Sequence, residues 1–192
     1  MKIGYISPTK FNKPGGHRTY GIRTIETLCQ KHAVTVFNID SEYNKNNFDY
    51  YSNYEDYIQD EEETGVKNQA IPAHLRQVAT SLRTMDIIRR KELDLIYVDG
   101  SFFIRPIVGY IASQLHNIPV IIGVSDQHSR DIITGNKFYE ILNGPVRKHI
   151  LKNADHLILE SQIILDDLKE QGINPNDFTV VPIAAGINLE RF

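Results

Sequence analysis

Ile118-Pro-Val-Ile-Ile-Gly-Val124 is almost wholly apolar, and Ser125-Asp-Gln-His-Ser-Arg130 follows it directly. A strand with one wet face alternates apolar and polar residues, whereas a strand buried on both faces does not. This run therefore predicts a central strand of a parallel sheet, with helices on both faces and a polar edge beyond its carboxyl end. The neighbouring sequence agrees. Lys2–Ser7 is a strand stopped by Pro8, residues 8–16 form a loop, and a helix runs from about His17 to Lys31. Val34–Ile39 is a strand rich in β-branched residues. Apolar residues at 71, 75, 78, 79, 82, 85 and 88 keep helical spacing behind Pro72. Leu93–Val98 is a strand and Ile104–His116 a helix. Residues 136–152 are helical, with a break or restart at Gly144-Pro145. His156–Leu159 is a strand, Ser161 caps a helix over 162–171 that Gly172 stops, and Thr179–Val181 is the last strand. Strands alternating with helices give an α/β fold with a parallel sheet.

The 192 residues are enough for one domain with a sizeable core. The single cysteine, Cys29, excludes an internal disulfide and fits a reducing compartment. It shares a helical face with Ile22, Ile25 and Leu28, so it is expected to be a packed thiol. Lys2 is followed by only a few apolar residues before Pro8, which is not a signal-peptide pattern, and no run reaches the ~20 apolar residues of a membrane span. The expected location is cytoplasmic. The net charge of −3 conceals an asymmetry: residues 40–63 hold nine acids against one lysine, and the remainder holds 20 basic residues against 15 acids. Arg89-Arg90-Lys91 and Arg147-Lys148-His149 with Lys152 are the basic clusters, expected as solvated helix ends, and no nucleic-acid partner is expected. The segment 41–70 has no clean period and is expected as an excursion from the sheet. Its tyrosines at 43, 50, 51, 54 and 57 either stack on sugar rings or pack a large loop.

Ligands of such sheets sit beyond the carboxyl ends of the strands. After the first strand, Lys13-Pro-Gly-Gly-His-Arg-Thr19 leads into a helix. Two glycines let a backbone come close to a phosphate, and a helix start offers unpaired N–H groups, although Gly15-Gly16 also suits a simple turn. The spacing is neither G-x-G-x-x-G nor a Walker loop. Asp99-Gly-Ser101 and Ser125–Arg130 follow two further strands. Asp126 and His128 suit acid/base work or sugar hydroxyls, while Ser125 or Asp126 also suits a turn cap. Glu160-Ser161 follows another strand. No His-x-x-x-His, Cys-x-x-Cys or Gly-x-Ser-x-Gly pattern occurs, so neither a metal site nor a hydrolase elbow is expected.

Four landmarks in order resemble the N-terminal domain of a family 4, GT-B glycosyltransferase. They are Lys2-Ile-Gly-Tyr-Ile-Ser-Pro8 with Gly15–Thr19 and His32-Ala-Val-Thr-Val36; Leu93-Asp-Leu-Ile-Tyr-Val-Asp99; Asn117–Asp126; and Ala154–Ser161 with Val180–Phe192. The resemblance implies two Rossmann-like domains across a cleft. Residues 1–181 would be the acceptor-side domain, and 182–192 a hinge into a donor-binding domain beyond this chain. It implies a retaining transfer from a nucleotide sugar to a carbohydrate or lipid-linked acceptor, without metal or other cofactor. A lipid-linked acceptor would bring peripheral contact with the inner face of the membrane. Gly15 and Gly16 match the loop that meets the donor diphosphate. His17, Arg18, Asp99, Ser101 and Ser125 would line the acceptor side. Family members often carry His where this chain has Ser125, which leaves Asp126 and His128 as catalytic candidates. The usual Pro-Asn-Gly of the hinge reads Pro182-Ile-Ala-Ala-Gly186 here. Two other readings fit the same sheet: a non-catalytic binding module, and another GT-B enzyme such as a sugar-nucleotide epimerase. On the resemblance, the isolated domain is expected to be inactive.

Overall fold

A computed structural model describes residues 1–7, 16–38, 60–62, 73–101, 104–125 and 141–181. The described strands are β1 (Lys2–Ser7), β2 (Ala33–Asn38), β3 (Asp60–Glu62), β4 (Leu95–Asp99), β5 (Val120–Val124), β6 (His156–Leu159) and β7 (Phe178–Val180). All pair in parallel, in the order β3-β2-β1-β4-β5-β6-β7. The described helices are α1 (Gly16–Cys29), α2 (Ala73–Lys91), α3 (Ile104–His116), α4 (Arg147–Asn153) and α5 (Gln162–Glu170). The expected α/β fold with a parallel sheet is the fold observed.

One element departs from expectation. The acidic run at 60–62, expected within an excursion, joins the sheet as its edge strand and pairs with Thr35–Phe37. Three residues are too few to show a period, and acidic residues suit an edge, where charge deters further pairing. Residues 39–59 and 63–72 lie outside the described residues.

Among the described residues, the two faces of the sheet are covered unequally. On one face Ile6, Val98, Ile122 and Leu157 pack against Ile88 of α2, Ala112 of α3, Leu151 of α4 and Leu168 of α5. On the other, Ile3, Tyr5, Val36 and Tyr97 pack against Ile25 of α1, with Cys29 half-buried at the margin. Burial raises the pKa of the Cys29 thiol, as expected of a packed one. The central strand β5 is therefore buried completely on the first face, by Val120, Ile122 and Val124, but only half-buried at Ile121 on the second.

Local signals set several boundaries. Ser161 caps α5 by accepting from the Ile164 N–H at 3.4 Å. Asp155 accepts from the Val120 N–H at 2.8 Å and fastens the start of β5 to that of β6. In α2 the apolar period marks the buried face only in part: Ile88 is buried and Met85 packs on the core, but Leu75, Val78 and Leu82 are exposed. Thr80, Ser81 and Thr84 are buried beside Ile87 and Ile88, and the Thr84 hydroxyl donates to the Thr80 carbonyl at 2.9 Å. A hydroxyl paired with its own helix can be buried at little cost.

Helix α3 crosses β4 at Gly109, where a Cβ would stand 2.3 Å from Val98 Cγ2. Val98 is a stiff β-branched side chain in a buried strand, so it cannot give way. Gly109→Ala would gain about 1 kcal/mol of helix propensity and lose up to about 3 kcal/mol to overpacking. The expected net result is destabilisation by about 1–2 kcal/mol, measured by urea denaturation; a stabilised variant would contradict the close packing.

Candidate functional site

Parallel pairing brings every strand's carboxyl end to one edge. β1 and β4 are neighbours, yet the chain leaves β1 for β2 on one side and β4 for β5 on the other. Such a reversal opens a crevice between the two outgoing connections, which is where ligands of these sheets bind.

On the β1 side, Ser7 is buried and Gly16 opens α1, with His17 and Arg18 in its first turn. On the β4 side, Asp99 ends the strand, Gly100 turns at φ 100°, and Ser101 follows. That φ favours glycine, so the turn is set by its residue type.

Two buried networks hold this turn. Tyr5 and Tyr97 are register partners and stack with centroids 5.2 Å apart and planes 8° from parallel. The Tyr5 hydroxyl donates to Asp99 Oδ2 at 2.6 Å. Gly123 leaves room for the Tyr97 hydroxyl, which would stand 2.9 Å from a Cβ there. Asp99 is thereby only 4% exposed, and a carboxylate removed from water needs such donors.

The second network comes from α4. Arg147 is 3% exposed. Its Nε donates to the Ser101 carbonyl at 3.1 Å, its Nη2 to Ser101 Oγ at 3.2 Å and its Nη1 to Gln171 Oε1 at 3.3 Å. The turn after β4 is thus tied to the start of α4 and to the end of α5. Arg105 Nη1 adds a longer contact, 3.5 Å, to the Asp99 carbonyl.

Arg147 corrects an expectation: it is a buried anchor rather than part of a solvated helix end. Backbone angles at Gly144 (φ −97°, ψ −106°) interrupt the helical segment over Leu142–Val146, and α4 restarts at Arg147. A cation in a first turn is opposed by the helix dipole, so it needs other acceptors to settle there. Gly144-Pro145, directly upstream, was the available signal. Arg89 and Arg90, by contrast, are exposed at the end of α2 and pair with Asp86 at 3.0 and 3.2 Å.

Of the expected site residues, Gly16, the 99–101 turn and Ser125 share the carboxyl edge. Ser125 is half-buried just after β5. Backbone bonds from Gly100 N–H to the Gly123 carbonyl (3.1 Å) and from Glu160 N–H to the Val124 carbonyl (3.3 Å) extend the ladder on both sides of it. Asp99 and Ser101, expected to meet an acceptor, turn their side chains to internal partners, so the backbone of their turn is the part left to shape the edge. Gly15, Asp126 and His128 lie outside the described residues. The tyrosine pair and Gln171 were not anticipated, because apolar strand positions and a helix-end glutamine carry no sequence mark of function.

A profile of the family described as Glycosyltransferase Family 4 matches residues 14–191. The chain belongs to that family. No curated protein matches it at the sequence level. Solved structures match the fold. HepE of Anabaena, in complex with UDP and glucose, is 19% identical with a TM-score of 0.58, over 94% of this chain and 43% of its own. Sucrose-phosphate synthase of Thermosynechococcus elongatus is 15% identical with a TM-score of 0.65, over 94% and 47%. The UDP-GlcNAc 2-epimerase of Methanocaldococcus jannaschii, in complex with UDP-GlcNAc and UDP, is 16% identical with a TM-score of 0.61, over 94% and 46%. The chain thus spans less than half the length of these proteins, and its fold is one Rossmann-like domain of the GT-B architecture.

Replacing Arg147 by Met keeps much of the volume but removes the guanidinium donors that meet the buried Ser101 and the half-buried Gln171. The expected loss is about 2–3 kcal/mol, read from the urea midpoint. Arg147→Lys should recover less than half of it, since an ammonium cannot fork to three acceptors. A loss below about 0.5 kcal/mol for Arg147→Met, the range of a plain surface change, would show that the network contributes nothing.

Proposed function

We propose that the chain is the acceptor-side domain of a retaining glycosyltransferase. It would serve transfer of a hexose-type sugar from a nucleotide-sugar donor to a carbohydrate or lipid-linked acceptor. The observation that carries this is the family match across residues 14–191, on a sheet whose order reverses at β1 and β4. HepE's complexes with UDP and UDP-glucose support a nucleotide-sugar donor.

The start of α1 and the Gly15-Gly16 turn would point N–H groups at the donor diphosphate. Asp126 or His128 would act on the reacting hydroxyl. Ser125, His17, Arg18 and the Asp99–Ser101 turn would shape the acceptor side. Rate enhancement would come from positioning and from stabilising the departing diphosphate, without a metal. Residues 182–192 would lead into the donor-binding domain. The site of action would be cytoplasmic, at the inner face of the membrane where the acceptor is lipid-linked. The likeness to the 2-epimerase motivates a second reading, a sugar-nucleotide epimerase, but at 16% identity it speaks for the fold alone.

One helix start contributes at most about 2 kcal/mol to anion binding, whereas millimolar affinity needs about 4 kcal/mol. Calorimetry of the 192-residue chain against UDP-sugars should therefore register weak binding or none; low-micromolar binding would overturn the division of roles between domains. A longer protein that contains this chain should release UDP from UDP-glucose only when an acceptor is present, with the anomeric configuration kept. Conversion of a UDP-sugar to its epimer without acceptor would favour the second reading.

A further inference from the structure

Outside the crevice, one row of side chains carries chemistry of its own. β6 and β7 pair with Ile158 opposite Thr179. Side chains alternate along a strand, so His156, two residues before Ile158, shares a face with Asp177 and Thr179. His156 Nδ1 lies 2.9 Å from Asp177 Oδ2, and its Nε2 lies 2.9 Å from Thr179 Oγ1. The row is therefore carboxylate, imidazole, hydroxyl, with the imidazole in the middle. His156 opens β6, so the row lies toward the amino edge of the sheet, away from the β1/β4 crevice.

The partners settle where the proton sits. An ionised carboxylate only accepts, so Nδ1 carries the hydrogen. In the neutral ring Nε2 is then an acceptor, and the Thr179 hydroxyl donates to it. A hydroxyl that donates to an imidazole, itself oriented by a carboxylate, is the arrangement that activates an oxygen nucleophile. The imidazole is half-buried and Thr179 is exposed, so the base is held while the hydroxyl is open to a reactant.

The backbone around the row is fastened on both sides. The Leu157 N–H donates to the Asp177 carbonyl at 3.1 Å and the Val181 N–H to the Leu159 carbonyl at 2.8 Å. Asn176 Nδ2 donates to the Lys152 carbonyl at 3.1 Å, which ties the start of β7 to the end of α4. Because Asp177 and Val181 bond to β6, alternation turns the Val180 N–H away from it. Val180 directly follows Thr179, and an N–H in that position is a donor for the oxyanion of an acyl-transfer intermediate.

We propose that Thr179 accepts acyl groups from short, activated carboxylic esters, with His156 as its base and Asp177 orienting that base. Thr179 Oγ1 bonds to the carbonyl carbon, and its proton passes to His156 Nε2. The bond from that carbon to the alcohol oxygen breaks, and the alcohol leaves with the proton. Water then attacks the acyl carbon and gives a proton to Nε2, and the carboxylic acid leaves as Oγ1 takes that proton back. Ile158, the half-buried register partner of Thr179, gives a short acyl chain an apolar surface to lie on. No Gly-x-Ser-x-Gly elbow announces this row, because strand pairing assembles it.

The probe is p-nitrophenyl acetate, incubated with the 192-residue chain and quenched in acid. Nitrophenol release is expected, with an acetyl group found by mass spectrometry on the peptide that contains Thr179. Thr179→Val should abolish that label, and His156→Gln should slow labelling of Thr179 roughly hundredfold. Thr179→Ser keeps the hydroxyl and should keep the label. Thr179 is exposed and valine suits a strand, so Thr179→Val should leave the circular dichroism spectrum unchanged. Acetyl groups on lysines alone, or undiminished labelling of Thr179 in His156→Gln, would overturn the proposal. So would a lowered urea midpoint for His156→Gln with no acetyl on Thr179 of the parent chain, which would make the row a tie between β6 and β7. None of these outcomes touches the nucleotide-sugar experiment, so the two readings fail separately.

Discussion

The pairing of β1 with β4 is the contact on which the rest of the molecule depends. It brings residues more than ninety positions apart into register, Tyr5 beside Tyr97 and Ile6 beside Val98. It also reverses the order of the sheet, and the reversal places a crevice at the carboxyl edge. A slip of one residue would exchange the faces: Tyr97 would leave its stack with Tyr5, and Val98 would leave the side that receives Gly109 of α3. The tyrosine stack, the Tyr5–Asp99 hydrogen bond and the close approach of α3 all favour the same register, so the crevice inherits its position from the core.

The unequal covering of the sheet by the described residues follows from the same topology. Crossovers in parallel sheets keep one hand, so the connections that step away from β1 toward β7 place their helices on one face. α1, which steps the other way, lies on the opposite face. That face is fully buried near Ile3, Tyr5 and Val36, and half-open at Ile121 and Ile158. Packing of the central strands and orientation of the edge turns are thus settled together.

The sequence made the strands and the direction of the sheet legible, because apolar runs and punctuating turns have a period. Lys2–Ser7 and His156–Leu159 stand where they were expected, and Ser161 caps its helix. What failed were features whose cause is non-local. The buried side of α2 is chosen by its neighbours, and three hydroxyl side chains can be buried there because the helix and its surroundings supply partners. Arg147 looked like one of several helix-end cations, but its helix restarts there after the kink at Gly144 and its side chain is buried. The strand at 60–62 is too short for any period. Of the site, the edge on which Gly16, Asp99, Ser101 and Ser125 lie was legible from the order of elements. The internal partners of Asp99 and Ser101 were not, since a polar residue after a strand looks the same whether its side chain meets solvent or an arginine.

Those internal partners bear on how such an edge could serve chemistry. Reaction by positioning requires the groups at the edge to stay in place while the substrate settles, and a turn at the end of a strand is otherwise free to rock. Here the Asp99 carboxylate is held from one face of the sheet by Tyr5, and Ser101 from the other by Arg147. Three hydrogen-bond acceptors on Ser101 and Gln171 fix one planar guanidinium, so the turn cannot shift without breaking several charge-assisted bonds at once. A turn built this way keeps its shape when a ligand settles against it. The Arg147 guanidinium is committed to this turn, through the Ser101 carbonyl and hydroxyl and the Gln171 side chain. The rigidity of the edge and the register of the core are thus two results of the same buried contacts.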